Sequence, residues 1–287
     1  MKGVTRQEYH QAINNVIDFI NNHLYEPLDL TTLSGIANLS TFHFHRIFTA
    51  FIGESVGMYI TRLRLESAAQ KLQTTKKTLT EIASLTGYQS QFALSKAFKK
   101  HFGVTPSAFR NIQTYFSYQW KKPEPTLLQL SPEIRNEETK HVVYIRIMAD
   151  YGSPVDYELG WKKLWKFAKQ KQIINGKNEY LGLNFDDPNI TRSDRCRFYA
   201  CITTENAIKP EGEFGTMTIN NGKYAVFTLK GSYQGLGRLY QAIYLEWLPK
   251  SNYHLRNCLP FEKYLNNPDI VTERELLTQI FLPINNN

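Results

Sequence analysis

The chain has 287 residues, 42% of them apolar, and a net charge of +8; that length exceeds what one core usually organises, and that apolar fraction excludes a disordered chain. No apolar run approaches the about 20 residues that cross a bilayer, and the start Met1-Lys2-Gly3-Val4-Thr5-Arg6-Gln7-Glu8 has no apolar stretch of the kind a signal peptide needs. Cys196, Cys201 and Cys258 are an odd number without metal-ligand spacing, which fits a reducing cytoplasm with the thiols as small core residues.

The charge is uneven. Residues 1–112 carry 12 Lys/Arg against 7 Asp/Glu, and residues 113–287 carry 22 against 19. A basic first part is an electrostatic footprint for a phosphate backbone, although a solubilising surface would look the same.

In chain order, the first 112 residues predict consecutive short helices. Thr5-x-x-Glu8 has the form of a capping box, with Tyr9, Ile13, Val16, Ile17, Ile20 and Leu24 at helical spacing behind it, and Pro27 ends the segment. Asp29 caps a helix through Ala37, and Ser40 caps the next, which runs to about Ile52 and stops at Gly53. A long helix from Ser55 to Leu72 carries Tyr59, Leu63 and the Ala68-Ala69 pair. Thr78-x-x-Glu81 is a second capping box, Ser90 opens a helix that Gly103 halts, and Thr105 caps a last one with Pro106 in its first turn. An internal repeat runs through this series at an offset of 50: Ser40 matches Ser90, Phe42 Phe92, Arg46 Lys96, Phe48 Phe98 and Gly53 Gly103. Two copies of short helix, turn and capped helix, joined by one long helix, describe paired helix-turn-helix units.

Residues 113–130 read as a linker, in a stretch from Gln113 to Pro132 that holds Lys121-Lys122 and three prolines. From residue 131 strands and helices alternate. Val142–Ile147, Tyr180–Phe185 and Arg197–Thr203 are strands, and Pro154–Lys171 is a helix with a Trp161, Leu164, Trp165, Ala168 stripe. The pattern recurs about 80 residues later, with a strand at Lys223–Lys230, a helix bearing Leu236, Leu239, Tyr240, Ile243, Tyr244 and Trp247, and strands at Phe261–Leu265 and Leu277–Pro283. The fold class is therefore two-domain: an all-α double helix-turn-helix domain, then an α+β domain of duplicated strand-helix-strand-strand units with an antiparallel sheet. Each copy buries its helix stripe well only against the other, leaving a cleft at the seam.

The candidate readers of DNA follow from the helix faces. In the first copy Phe44, Ile47, Phe48 and Phe51 form the inward stripe, leaving Phe42, His45, Arg46 and Thr49 largely outward; in the second, Gln91, Ser95, Lys96 and Lys99 face out. Arg pairs bidentately with guanine and Gln with adenine, so these side chains suit a major groove. Any one exposed Arg or Lys is usually a solvated charge, and His43 and His45, two apart, make a poor zinc pair. The repeat is what outweighs that ordinary explanation.

The stretch Gly87-Tyr88-Gln89-Ser90-Gln91-Phe92 through Ala97-Phe98-Lys99-Lys100-His101-Phe102-Gly103-Val104-Thr105-Pro106-Ser107-Ala108-Phe109-Arg110 resembles the signature of AraC/XylS-family regulators. Arg46-Ile47-Phe48, Gly53, Tyr59-Ile60 and Arg62-Leu63-Arg64 fit that family's first unit and linker helix. The resemblance implies that Phe42, His45 and Arg46 read one major-groove segment and Gln91, Phe92, Ser95 and Lys96 the next. Lys100 is a candidate phosphate contact. A rigid linker helix fixes the separation of the readers, so that a monomer suffices for an asymmetric site.

Residues 131–287 resemble the GyrI-like effector-binding domain in Gly182-Leu183-Asn184-Phe185-Asp186-Asp187-Pro188, Gly231-Ser232-Tyr233, Trp247-Leu248-Pro249, Pro260-Phe261-Glu262-Lys263-Tyr264-Leu265 and Ile280-Phe281-Leu282-Pro283. The resemblance implies a pocket glutamate, here Glu262. Strand alternation sets Glu262 and Tyr264 on one face, and a carboxylate among aromatics attracts a lipophilic cation. Trp165, Tyr144, Phe185, Tyr240, Tyr244 and Trp247 are the candidate walls. The plain alternative for Glu262 is an exposed strand residue paired to a lysine.

Three readings of the whole result: a cytoplasmic transcription regulator, activating by resemblance, that binds double-stranded DNA, a small-molecule effector and RNA polymerase; a regulator whose second domain binds a protein such as gyrase or RNA polymerase; and a hydrolase acting through Glu262. No Gly-rich phosphate loop, Gly-x-Ser-x-Gly or His-Glu-x-x-His motif is present, and no cofactor, metal, catalytic residue or membrane contact is expected. Multidrug or stress response is the expected setting.

Overall fold

The structure, a computed structural model, describes residues 6–111, 130–150, 152–256 and 258–286. Thr5 of the first capping box and all but the last residue of the 113–130 linker lie outside the described residues. The chain falls into two compact units that divide near residue 115.

The first unit is helical: α1 (Arg6–Asn22), α2 (Leu30–Ile36), α3 (Thr41–Ile52), α4 (Val56–Thr74), α5 (Leu79–Leu85), α6 (Gln91–Phe102) and α7 (Pro106–Arg110). The expected caps form. Side chains of Asp29, Ser40, Thr78, Ser90 and Thr105 each accept a bond from the backbone N–H three residues on, and Ser55 does the same for α4. Gly53 and Gly103 end α3 and α6 with φ of 78° and 75°, the left-handed turn that glycine takes without a Cβ penalty.

Helix α4 packs on α3, α5, α6 and α7, and its Tyr59, Leu63, Ala68, Ala69 and Leu72 are all buried. Phe48 of α3 meets Tyr59 edge-on at 5.5 Å, and Phe98 of α6 meets Phe109 of α7 at 5.3 Å. Both repeat phenylalanines, Phe48 and Phe98, are thus core anchors that fix α3 and α6 by one face and leave the other free.

The second unit contains β1 (Glu133–Glu137), β2 (Lys140–Met148), α8 (Pro154–Gln170), β3 (Tyr180–Asn184), β4 (Arg197–Thr204), β5 (Phe214–Ile219), β6 (Gly222–Lys230), α9 (Leu236–Ala242), β7 (Tyr253–Leu255), β8 (Phe261–Tyr264) and β9 (Leu277–Asn286). A π-helical turn, Ile243–Trp247, continues α9. The sheet order is β1-β6-β9-β8-β3-β4-β2-β5, with β7 attached to β9 and every pairing antiparallel.

The two expected repeats are β2-α8-β3-β4 and β6-α9-β8-β9, and they join where β3 pairs β8. Strands β1 and β5 were not anticipated. Each precedes one repeat and adds to the other, β1 beside β6 and β5 beside β2. β1, Glu-Ile-Arg-Asn-Glu, holds one apolar residue and is an exposed edge, so it carries no alternation to read.

Strand parity divides the side chains cleanly. One face of the sheet holds Val142, Tyr144, Leu181, Leu183, Tyr199, Tyr224, Val226, Phe261 and Phe281. The other is covered by α8 over Val143, Ile145, Phe198, Ala200 and Ile202, and by α9 over Ala225, Phe227, Leu229, Ile280 and Leu282.

Candidate DNA-reading face and ligand site

Helices α3 and α6 present matched outer faces. Phe42 and Phe92, each the second residue of its helix, are 67% and 76% exposed, too much for side chains that belong to the unit's own core. Arg46 lies over the Phe42 ring at 5.6 Å. His45, Arg46, Lys96, Lys99 and Lys100 are exposed, while Thr49, Gln91 and Ser95 are half-buried. The Thr49 hydroxyl donates to the His45 carbonyl at 2.8 Å, and the Gln91 side-chain oxygen accepts from Thr80 at 3.1 Å, which leaves its NH2 group outward. Neither helix carries an acidic residue. Each therefore offers an aromatic, a cation and hydrogen-bonding groups with nothing to repel phosphate.

The positions of α5 and α6 depend on Arg64, the last residue of the Arg62-Leu63-Arg64 stretch of α4. Arg64 of α4 donates to the carbonyls of Leu24 at 2.8 Å, Glu26 at 2.7 Å and Gly87 at 3.4 Å. Gly87 turns between α5 and α6 with φ of 74°, and a Cβ there would stand 3.0 Å from the Arg64 guanidinium. One guanidinium thus ties the end of α1 to the turn of the second helix pair. Only its place beside Leu63 in a helix, with no acidic partner at i+4, hinted that its donors go to backbone.

In the second unit Glu262 sits on the repeat seam, on the helix-covered face, and is 2% exposed. It is therefore not an exposed strand residue paired to a lysine; Lys263, beside it on the strand, pairs with Glu179 instead. Asn184 Nδ2 donates to Glu262 Oε1 at 2.9 Å, the Tyr264 hydroxyl donates to Oε2 at 2.6 Å, and the Tyr240 hydroxyl adds another bond. Burial pushes the Glu262 carboxyl above the usual carboxylate range, and these bonds from Tyr264, Tyr240 and Asn184 pull it back only in part. Among the described residues, no Lys, Arg or His forms an ion pair with it.

Aromatic rings close around this carboxylate. Trp161 of α8 meets Tyr264 edge-on at 5.8 Å, and Tyr233 meets it at 5.6 Å. Burial pushes the Tyr157 hydroxyl up to about 12, with the Glu262 charge adding to the shift. Tyr244 stacks on Tyr240 at 6.4 Å, and burial raises its hydroxyl as well. Opposite Glu262 is Gly182, where a Cβ would overlap the Tyr264 hydroxyl and reach the Phe198 ring at 2.8 Å.

Of the wall residues expected, Tyr240 and Tyr264 bond Glu262, Tyr244 is linked to it only through its stack on Tyr240, and four others lie elsewhere. Tyr144 and Phe185 lie on the opposite face, stacked with or tilted against Tyr199, because their parity differs from that of Glu262 once the register is known. Trp165 is 40% exposed and turned outward, with Lys169 over its ring; Trp161, one turn earlier, takes the inward place. Trp247, at the end of the π-helical turn that continues α9, packs on Phe227 and Tyr253 instead. Asn184, Trp161, Tyr157 and Tyr233 are the residues that the wall assignment lacked. Asn184 shares strand parity with Gly182, which was the available signal.

Two family models match the chain, in separate stretches. The model of the GyrI-like small molecule binding domain matches residues 130–285, more than half the chain, and a helix-turn-helix domain model matches residues 33–112. The uncharacterized HTH-type transcriptional regulator YbfP of Bacillus subtilis is 35% identical over 109 residues, 38% of this chain and 37% of that protein. The transcriptional regulator Rob of Salmonella typhimurium is 22% identical over 266 residues, 91% of this chain and 92% of Rob. The multiple antibiotic resistance protein MarA of the same organism is 33% identical over 99 residues, 34% of this chain and 78% of MarA. The chain belongs to the GyrI-like family through its second unit and to the AraC-type regulators through its first, which makes it a transcription regulator that joins a helix-turn-helix DNA-binding domain to a small-molecule-binding domain.

Proposed function

We propose that this regulator activates transcription when a lipophilic cation engages Glu262. The carrying observation is a carboxylate that is 2% exposed, bonded by Asn184, Tyr264 and Tyr240, and without a cationic partner among the described residues. A buried charge of that kind is costly on its own, and an organic cation that enters between the aromatic rings offsets the cost. Isothermal calorimetry with a rhodamine dye tests it: wild type binds, and Glu262→Gln binds at least about ten-fold more weakly. Equal affinities remove the carboxylate from the site.

On DNA, Phe42, His45, Arg46 and Thr49 serve one major-groove segment, and Gln91, Phe92, Ser95, Lys96 and Lys99 the next, with Lys100 on phosphate. A monomer suffices, because α4 already spaces the two readers. Its 19 residues extend roughly 28 Å, comparable to one turn of duplex. The functional division runs as residues 1–112, a 113–130 linker and 131–287. Ligand binding acts through the orientation of the two domains or through contacts with RNA polymerase, in the cytoplasm; switching requires that the two states differ in ligand affinity.

A further inference from the structure

The C-terminal end of α3 is tied to one buried side chain of α4, the helix on which α6 also packs. Arg62 of α4 is 9% exposed. Its Nη2 and Nε donate to Glu54 Oε1 at 2.6 and 3.0 Å, and its Nη1 donates to Glu66 Oε2 at 3.1 Å. Glu54 directly follows Gly53, the residue that terminates α3. From the second repeat His101, in the last turn of α6, lies within the electrostatic reach of the same pair: burial and the Arg62 charge hold its pKa down, and Glu54 opposes them. Tyr59 places its ring 5.2 Å from the Arg62 guanidinium.

A buried guanidinium with two carboxylates is weak evidence of stabilisation, because well-packed apolar residues often serve as well. Its geometric value is different. Apolar packing of α3 on α4 is non-directional, whereas the bonds to Glu54 are directional and favour one position. The N-terminal end of α3, which carries Phe42, is set by where its C-terminal end is pinned relative to α4 and so to α6.

We propose that Arg62 is a positioning residue for DNA recognition, holding α3 in register with α6 so that the protein accepts one spacing between its two recognised segments. This rests on the reading that α3 and α6 engage DNA together. Coupled engagement of two segments gains affinity only when the geometry permits both at once, so a loosened register costs affinity for the pair and leaves each segment's own affinity unchanged.

The test uses the full chain and duplexes selected from a random pool by the wild-type protein. Versions have one segment scrambled, or one base pair added or removed between the segments. Wild type is expected to prefer the intact duplex about 100-fold over either single-segment duplex and to lose most of that on a one-base-pair change. Arg62→Gln and Glu54→Gln are expected to bind single-segment duplexes within about three-fold of wild type, to lose about ten-fold on the intact duplex, and to tolerate the altered spacing. Arg62→Lys, which keeps one charged bond, falls between. Variants that retain the sharp spacing dependence, or that weaken on every duplex alike, overturn the role of Arg62. Wild type that is itself indifferent to spacing instead overturns the two-reader reading. Should Arg62→Gln fail to fold by circular dichroism, Glu54→Gln, which alters one partner at the helix end, decides the matter.

Discussion

Gly182 on β3 and Glu262 on β8 are cross-strand partners, and they are separated by the same offset that relates the two repeats. A pseudo-twofold axis therefore passes between them. Each residue stands where the other would stand after the rotation, so the duplication places a carboxylate in one copy and bare backbone in the other. The space over Gly182 admits the Tyr264 hydroxyl that bonds Glu262.

Gly182→Ala is expected to destabilise the second unit by about 1–3 kcal/mol, since a methyl cannot share space with the Tyr264 hydroxyl and the Phe198 ring. Urea denaturation measures the loss. Displacement of Tyr264 also weakens dye binding, and an unchanged midpoint would refute the packing account.

Cation binding at Glu262 is expected to depend on pH. The folded-state pKa is raised, and only the ionised form attracts a cation, so affinity falls as pH drops through a range above that of an ordinary carboxylate. The stability sign is the reverse of a salt-bridged acid: the folded state holds this proton more tightly, so stability declines as pH rises from the unfolded pKa to the raised folded one. Dye titrations and thermal melts of wild type and Glu262→Gln across that range check both, and the variant should show neither trend.

Arg46→Ala is expected to cost about 1–3 kcal/mol of DNA affinity and to relax discrimination at one base pair. Lys100→Ala should weaken all sequences alike and reduce the salt slope by about 1. Fluorescence anisotropy on point-varied duplexes at several salt concentrations separates the two, and full specificity in Arg46→Ala would contradict a base-reading role.

Gly103→Ala isolates a backbone cost. Nothing lies within 4 Å of the Cβ it would add, so the φ of 75° alone should cost about 1–2 kcal/mol. Gly87→Ala adds the displacement of the Arg64 guanidinium and should cost more. Paired melting curves give the order, and equal losses would show that Arg64 yields freely.

Much of the first unit was legible because its signals are local. Ser40, Thr78, Ser90 and Thr105 cap helices within three residues of themselves, and Gly53 and Gly103 end them. The ligand site was legible only in part because it depends on register. Tyr144 and Glu262 lie on opposite faces for a reason that requires knowing β2-β4, β3-β4 and β3-β8 together. Trp165 and Trp161 share one helix and a wide stripe, and only packing on Tyr264 separates them. Arg62 looked like any helical arginine, since Glu54 is eight residues away and across a helix boundary.

The crossed attachment of β1 to β6 and β5 to β2 interlaces the two halves of the domain. Each half lends its leading edge to its sibling, so cutting the domain at its midpoint would strip both fragments of a border strand. Neither half carries a complete sheet of its own, so the two must fold together, with β1 waiting on β6 and β2 on β5.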